Sequence, residues 1–146
     1  MKTSLSVLFA TLLLSLSLAA CAAQPVAISD VPVYPGAEPL EPDEYSLAGK
    51  VLEAMEASAA EQELSAHFAL YSLPAGSTWE EIAAFYQAEL AGTDWTPAPE
   101  LDSESDVFKG VGWSRAGGNT EQSLVVNYVP RVLAEGEFLL VGLFSK

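Results

Sequence analysis

Apolar residues recur at intervals of three and four between residues 45 and 61, the spacing of one face of an α-helix. The residues on this stripe are Leu47, Ala48, Val51, Leu52, Met55 and Ala59. Asp43 stands where a side chain can cap the first turn, although Gly49 lowers the helix propensity of the segment. We therefore predict a first helix over residues 45–61.

A second helix is predicted from its start signal as well as from its periodicity. Ser77 stands three residues before Glu80, which is the spacing of a capping box. Gly92 supplies a C-terminal stop. The apolar stripe between these signals consists of Trp79, Ile82, Ala83, Phe85, Tyr86 and Leu90.

Four further stretches carry the apolar and β-branched pattern of strands. They cover residues 65–73, 107–115, 121–129 and 137–145. The last stretch is apolar on both of its faces, so we place it in the centre of a sheet. Residues 31–36 form a short extended entry, whose Pro35 and Gly36 suit a type II turn.

The resulting element order is β(short)-α-β-α-β-β-β. Strands that follow one another without an intervening helix favour antiparallel pairing. We predict an α+β fold, in which an antiparallel sheet of about four strands carries two helices packed on one face.

The start of the chain is typical of a secretory signal peptide. Lys2 precedes an apolar run from Leu5 to Leu18, and no acidic residue occurs before Asp30. This run is shorter than the about 20 apolar residues that a membrane-spanning helix needs. We predict that residues 1–20 are a signal peptide.

The sequence Leu18-Ala19-Ala20-Cys21 resembles the lipobox of bacterial lipoproteins. The resemblance implies that the peptide is cut before Cys21 and that its thiol, the only one in the chain, carries lipid such as palmitate. It also implies export and anchoring at the extracytoplasmic face of the cell membrane. Ala22 permits onward transfer to an outer membrane in a Gram-negative cell. Ordinary cleavage beside an unmodified cysteine is the alternative.

Residues 21–31 would then form the lipidated cysteine and a tether of at most about 35 Å, and residues 32–146 a single acidic domain. Loss of Lys2 lowers the basic residues from 6 to 5 against 20 acids, so the formal net charge changes from −14 to −15. A surface of this charge repels nucleic acid and anionic lipid headgroups. We expect the membrane to be reached only through the lipid on Cys21.

The residue types that carry most enzyme chemistry are scarce. His67 is the single histidine, and the chain has neither a Gly-x-Ser-x-Gly elbow nor a set of zinc ligands. Asp102, Glu104 and Asp106 alternate like the start of a calcium loop, but the glycine and glutamate of such a loop are missing. We predict no catalytic residue, no metal site and no cofactor, and a solvated acidic loop with at most a weak cation contact.

Gly110 and Gly112 lie two residues apart in a predicted strand, on one face with Phe108. Glycines in a strand mark the close approach of another backbone or of a ligand. Either the second helix packs tightly over them, or they form the floor of a shallow groove. Trp113 points to the other face of this strand, and either Trp95 or Trp113 could line a ligand or partner surface.

A second resemblance covers about residues 32–95. The Tyr-Pro-Gly-Ala segment at 34–37, the pair Phe85-Tyr86 and Trp95 are similar to a pattern in small bacterial envelope proteins of uncharacterised function. The resemblance implies a shared fold and transfers no catalytic residue.

We expect a non-catalytic binding or envelope-structural domain. Its partner would be an envelope protein, held on a sheet face that presents Leu139, Val141 and Leu143 or their neighbours. The alternative is a small-ligand carrier or sensor, which requires an apolar cavity of about 300 Å³ or more. A hydrolase is a third alternative and requires titratable groups that converge in a cleft.

Overall fold

A computed structural model describes residues 24–117, 120–131 and 135–146. In this part of the chain, two α-helices accompany one antiparallel sheet of seven strands. The elements are β1 (Glu38–Pro39), α1 (Ser46–Glu61), β2 (Ser65–Ser72), α2 (Trp79–Leu90), β3 (Thr96–Pro97), β4 (Ser103–Glu104), β5 (Lys109–Gly117), β6 (Thr120–Val129) and β7 (Phe138–Ser145). The strand order is β1-β2-β7-β6-β5-β3, and β4 also pairs with β5.

The predicted α+β class and the central position of β7 are confirmed. The sheet is larger than the predicted four strands because β1, β3 and β4 add two residues each. Pairs this short carry no periodicity, and β1 follows the predicted entry at 31–36 instead of lying in it. The Pro35-Gly36 turn is confirmed, since Gly36 has φ +78° and the Ala37 amide donates to the Tyr34 carbonyl at 3.0 Å.

The two helices pack on opposite faces of the sheet, so the prediction that both cover one face is wrong. Ile82 and Tyr86 of α2 pack in one core with Leu139 and Val141, whereas α1 packs in the other core, with Leu140. Neighbouring residues of a strand point to opposite faces. Because β7 is apolar on both faces, both faces must be covered. We call them the α1 face and the α2 face.

The helix start signals differ from the predicted ones. The capping box of α2 joins Thr78 to Glu81, one residue later than predicted, while the Ser77 hydroxyl donates to the Pro74 carbonyl. The N-cap residue of α1 is Tyr45, whose side chain makes no capping hydrogen bond. Gly92 ends α2 with φ +75°.

Residues 24–31, which the sequence suggests as part of a tether, pack against the α2 face. The backbone of Val26 both donates to and accepts from the Gln122 side chain, at 2.9 and 3.0 Å. Arg115 donates to the Gln24 carbonyl at 2.8 Å, and Val31 is buried in the core. Residues 24–31 are therefore held on the domain by hydrogen bonds and core packing.

Candidate functional site

Gly110 and Gly112 lie on the α1 face, where other side chains approach both closely, and Gly110 also lines a shallow pocket of about 300 Å³ with Asp102 and Lys109. Side chains of Asn127 and Ser103 fill the space that a Cβ at Gly110 would need, and Leu101 does so at Gly112. The close approach predicted for these glycines is therefore real. The segment that makes it is residues 99–104, not the second helix.

Trp95 and Trp113 belong to the opposite side of the sheet. Trp113 is 3% exposed, and its ring centroid lies 6.4 Å from that of Tyr86 in the core of the α2 face. Trp95 is half-buried against the same core. The four candidate surface residues are thus divided between the two faces, and they do not form one surface.

The sheet face predicted to receive a protein partner is also covered. Leu139, Val141 and Leu143 are at most 2% exposed beneath α2. Among the described residues, the large apolar side chains that stand out into solvent are Val33 and Val107, at 44% and 60% exposure. Two separate side chains do not make the contiguous apolar patch that marks a protein interface.

The α1 face contains an apolar cavity of about 370 Å³ between α1 and the segment 99–108. Its floor is the row of alternate β6 residues at 121, 123, 125 and 127, together with Phe144 of β7. One wall comes from the second half of α1, and the other from Leu101, Ser103 and Phe108. We call this space the main cavity.

Side-chain size explains why the space is open. As far as Met55, α1 places leucine, valine and methionine against the core of this face, but its last turns present Ser58 and Ala59. The floor opposite them is equally small, with Ser123 and Val125. Small residues on both sides leave a gap where a packed core would have interdigitating side chains.

Asn127 is the most buried polar residue in the lining of this cavity, at 4% exposure. Its side-chain oxygen lies against Gly110, beside the hydroxyl of Ser103. The side chain lines the main cavity, so its amide is available to a molecule bound there.

A second cavity of about 220 Å³ continues the first along the α1 face. Both are lined by Met55, Phe108 and Asn127. The remaining lining of the second cavity is wholly apolar and comprises Leu47, Val51, Ala54, Val107 and Val129. We call this space the second cavity.

No protein family, curated protein or solved structure matches this chain. The site must therefore be interpreted from its own residues. In the part of the chain that the structure describes, neither helix is both long and apolar enough to cross a membrane.

The titratable residues that line the main cavity are Glu121 and Lys146, and the lining of the second cavity includes none. His67 is exposed on β2, and within the described ranges no three His, Cys, Asp or Glu side chains could jointly hold a metal ion. In the loop 102–106, Asp102 accepts a hydrogen bond from the Gly112 amide at 3.1 Å. Cys21 and the turn residues 118 and 119 lie outside the described residues.

Among the described residues, Tyr86 shows the largest shift in pKa, and it lies in the core of the α2 face. Burial raises the pKa of its hydroxyl, the charge of Tyr71 adds to this, and the nearby Tyr34 backbone lowers it slightly. In the described structure, this hydroxyl has no hydrogen-bond partner. Tyr86 lines neither cavity, so its raised pKa results from burial in the core.

The sequence analysis missed the residues that form the site: Ser58, Ala59, Ser123 and Asn127. One signal was present. Asn127 is a lone amide in the apolar run from Leu124 to Val129, within a predicted strand. An amide at such a position is buried and needs a partner.

Proposed function

We propose that this chain is an exported, lipid-anchored protein whose domain binds a small apolar ligand and catalyses no reaction. The observation that carries the proposal is the main cavity of about 370 Å³, with the side chain of Asn127 in its lining. Ligand sites are typically apolar cavities of this size with a few polar groups that orient the ligand. The lipobox residues up to Cys21 support the anchored location.

The small-ligand alternative is favoured over a protein partner on the sheet. A protein partner on the sheet would need an exposed apolar sheet face. Leu139, Val141 and Leu143 are all buried, and Leu139 and Val141 pack in the core that α2 covers. The carrier or sensor alternative required a cavity of about 300 Å³ or more. Carriage and sensing use the same site, because each needs a reversible complex.

Binding of the fluorescent probe N-phenyl-1-naphthylamine tests the proposal. The chain from Ala22 onward contains the whole described fold and avoids the lipid, which would itself take up the probe. We expect saturable binding at one site. Ser58→Phe and Ser123→Phe each place an aromatic ring in the main cavity, so we expect both to abolish binding.

Ser65→Phe is the matched control, since Ser65 is an exposed strand residue that lines neither cavity. Circular dichroism and the melting temperature establish that each variant is folded. Ser58 is exposed on α1, so its variant remains informative if Ser123→Phe fails to fold. Absent probe binding, or equal binding in a folded cavity variant and in the control, would overturn the proposal.

A further inference from the structure

The main cavity extends to the end of the sheet from which the chain leads to Cys21, and we call this end of the cavity its mouth. The rim at this end includes Glu121, Ser145 and Lys146. In the sheet, Ser145 is paired with Gln122. Gln122 is the residue that holds the backbone of Val26 on the α2 face. The cavity mouth and the start of the folded chain therefore share one end of the sheet.

The chain between this end and the anchor is short. Gln24 is held by Arg115 through its carbonyl oxygen, and only Ala22 and Ala23 separate it from Cys21. Three residue steps span at most about 11 Å between Cα atoms. A lipid on Cys21 thus brings this end of the domain to the bilayer surface.

The two cavities together have the shape of a channel. Alternate residues of β6 from Glu121 to Val129 run beneath both, a floor about 26 Å long. The facing residues extend from Leu47 of α1 to Gln62 directly after it, about 22 Å. A space of this length fits an extended hydrocarbon chain better than a compact ring system.

The polarity of the lining changes along the channel. The second cavity, far from the anchor, is lined by aliphatic and aromatic side chains apart from Asn127. Ser58, Gln62, Glu121 and Lys146 gather at the anchor end. This arrangement suits an amphiphile that has its tail towards Val129 and its head at the mouth. The net charge of −14 favours an uncharged head over an anionic one.

We propose that the channel holds the hydrocarbon chain of a single-chain lipid with an uncharged head, taken from the membrane to which Cys21 attaches the domain. The inference rests on the proposed function, because it needs the main cavity to bind ligand. It adds the ligand class, the direction in which the ligand lies and the side from which it enters.

Displacement of N-phenyl-1-naphthylamine by monoacylglycerols of increasing chain length tests the ligand class. Each added methylene that enters the apolar channel should lower the displacing concentration about fourfold, until the channel is full. Ala54→Phe places a ring in the second cavity. We therefore expect the displacing concentration to stop falling at a shorter chain length in this variant. Short chains, which occupy the main cavity alone, should bind this variant as they bind the parent.

Ala60→Phe is the matched control, on the exposed opposite side of α1 and outside both cavities. Independence of chain length, or the same limiting length in Ala54→Phe and Ala60→Phe, would overturn the single-chain inference. Tighter displacement by the fatty-acid anion of equal length would overturn the uncharged head. Probe binding that persists in any of these cases leaves the proposed function standing.

Entry from the membrane is tested with the lipidated protein in phosphatidylcholine vesicles that contain a pyrene-labelled monoacylglycerol. A flexible Gly-Ser insertion between Ala23 and Gln24 moves the cavity mouth away from the bilayer. We expect uptake of the label to slow several-fold, with no change in the affinity of the soluble chain that carries the same insertion. An unchanged uptake rate would overturn entry from the membrane.

Discussion

The carboxylate of Glu135 accepts a hydrogen bond from the hydroxyl of Ser46 at 2.8 Å, across 89 residues of sequence. It also accepts from the backbone amides of Ser46 and Leu47, at 3.0 and 3.2 Å. These are amides of the first turn of α1, which has no cap from its own segment. A residue that precedes β7 therefore completes the helix that forms one wall of the proposed binding channel.

These hydrogen bonds make the stability of α1 dependent on pH. The Ser46 hydroxyl, followed by the Leu47 and Ser46 amides, lowers the pKa of Glu135. A carboxyl with a lowered folded-state pKa contributes stability above its unfolded pKa of about 4.3 and loses it as the pH falls through the folded value. We predict that Glu135→Gln lowers the melting temperature slightly at pH 7, and that this difference vanishes in acid.

Thermal denaturation of parent and variant at several pH values measures the effect. Asp43→Asn is the control, because the sequence predicts Asp43 as the cap whereas the structure starts α1 after Tyr45. Equal losses from Asp43→Asn and Glu135→Gln would contradict the assignment of Glu135 as the cap.

The Tyr86 hydroxyl is buried without a hydrogen-bond partner in the described structure. Removing such a group relieves the cost of its desolvation. We predict that Tyr86→Phe leaves the free energy of unfolding unchanged or raises it by up to about 1 kcal/mol. Urea denaturation measures this value. A loss of stability would show that the nearby Tyr34 backbone forms a real hydrogen bond with the hydroxyl.

Gly112 has no room for a side chain, because Leu101 occupies the position of its Cβ. We predict that Gly112→Ala lowers the free energy of unfolding by about 1–3 kcal/mol, the usual cost of overpacking. The double variant Gly112→Ala with Leu101→Gly, which removes the Cβ of Leu101 that the added methyl would meet, should show a coupling that recovers part of this loss. Strictly additive effects in a double-mutant cycle would rule out the contact as the cause.

The side chain of Gln122 makes two hydrogen bonds to the backbone of Val26, in the segment that leads to Cys21. We predict that Gln122→Ala lowers the free energy of unfolding by about 1–3 kcal/mol, because backbone groups of Val26 lose their partner. Limited proteolysis should then cut between residues 24 and 31 faster. Gln87→Ala, at an exposed position of α2, is the control and should leave the cutting rate unchanged.

Local patterns predicted the elements well, and the site poorly. The predicted helix at 45–61 matches α1 within one residue, and the four long strands match within two. The spacing of apolar residues is a local property of the sequence, and it is the same wherever the strand or helix packs. The cavity was not predictable in this way, since it depends on Ser58 and Ala59 of α1 lying opposite Ser123 of β6.

The same limit applies to the glycines and tryptophans. Gly110 and Gly112 were correctly interpreted as points of close approach, but their neighbour proved to be the segment 99–104. Trp113 carries no local sign that separates a core tryptophan from one on a binding surface. Its burial follows from the position of α2, which covers that face of the sheet.

The sequence by itself determined the α+β class, the order of the long elements and the apolar nature of both faces of β7. It also contains Leu18-Ala19-Ala20-Cys21, which resembles a lipobox. Tertiary structure alone decided which helix covers which face, which residue caps α1 and where a space is left open. The physical reason is that amphipathic patterns specify that a residue is buried, whereas the partner that buries it is chosen by packing across the whole chain.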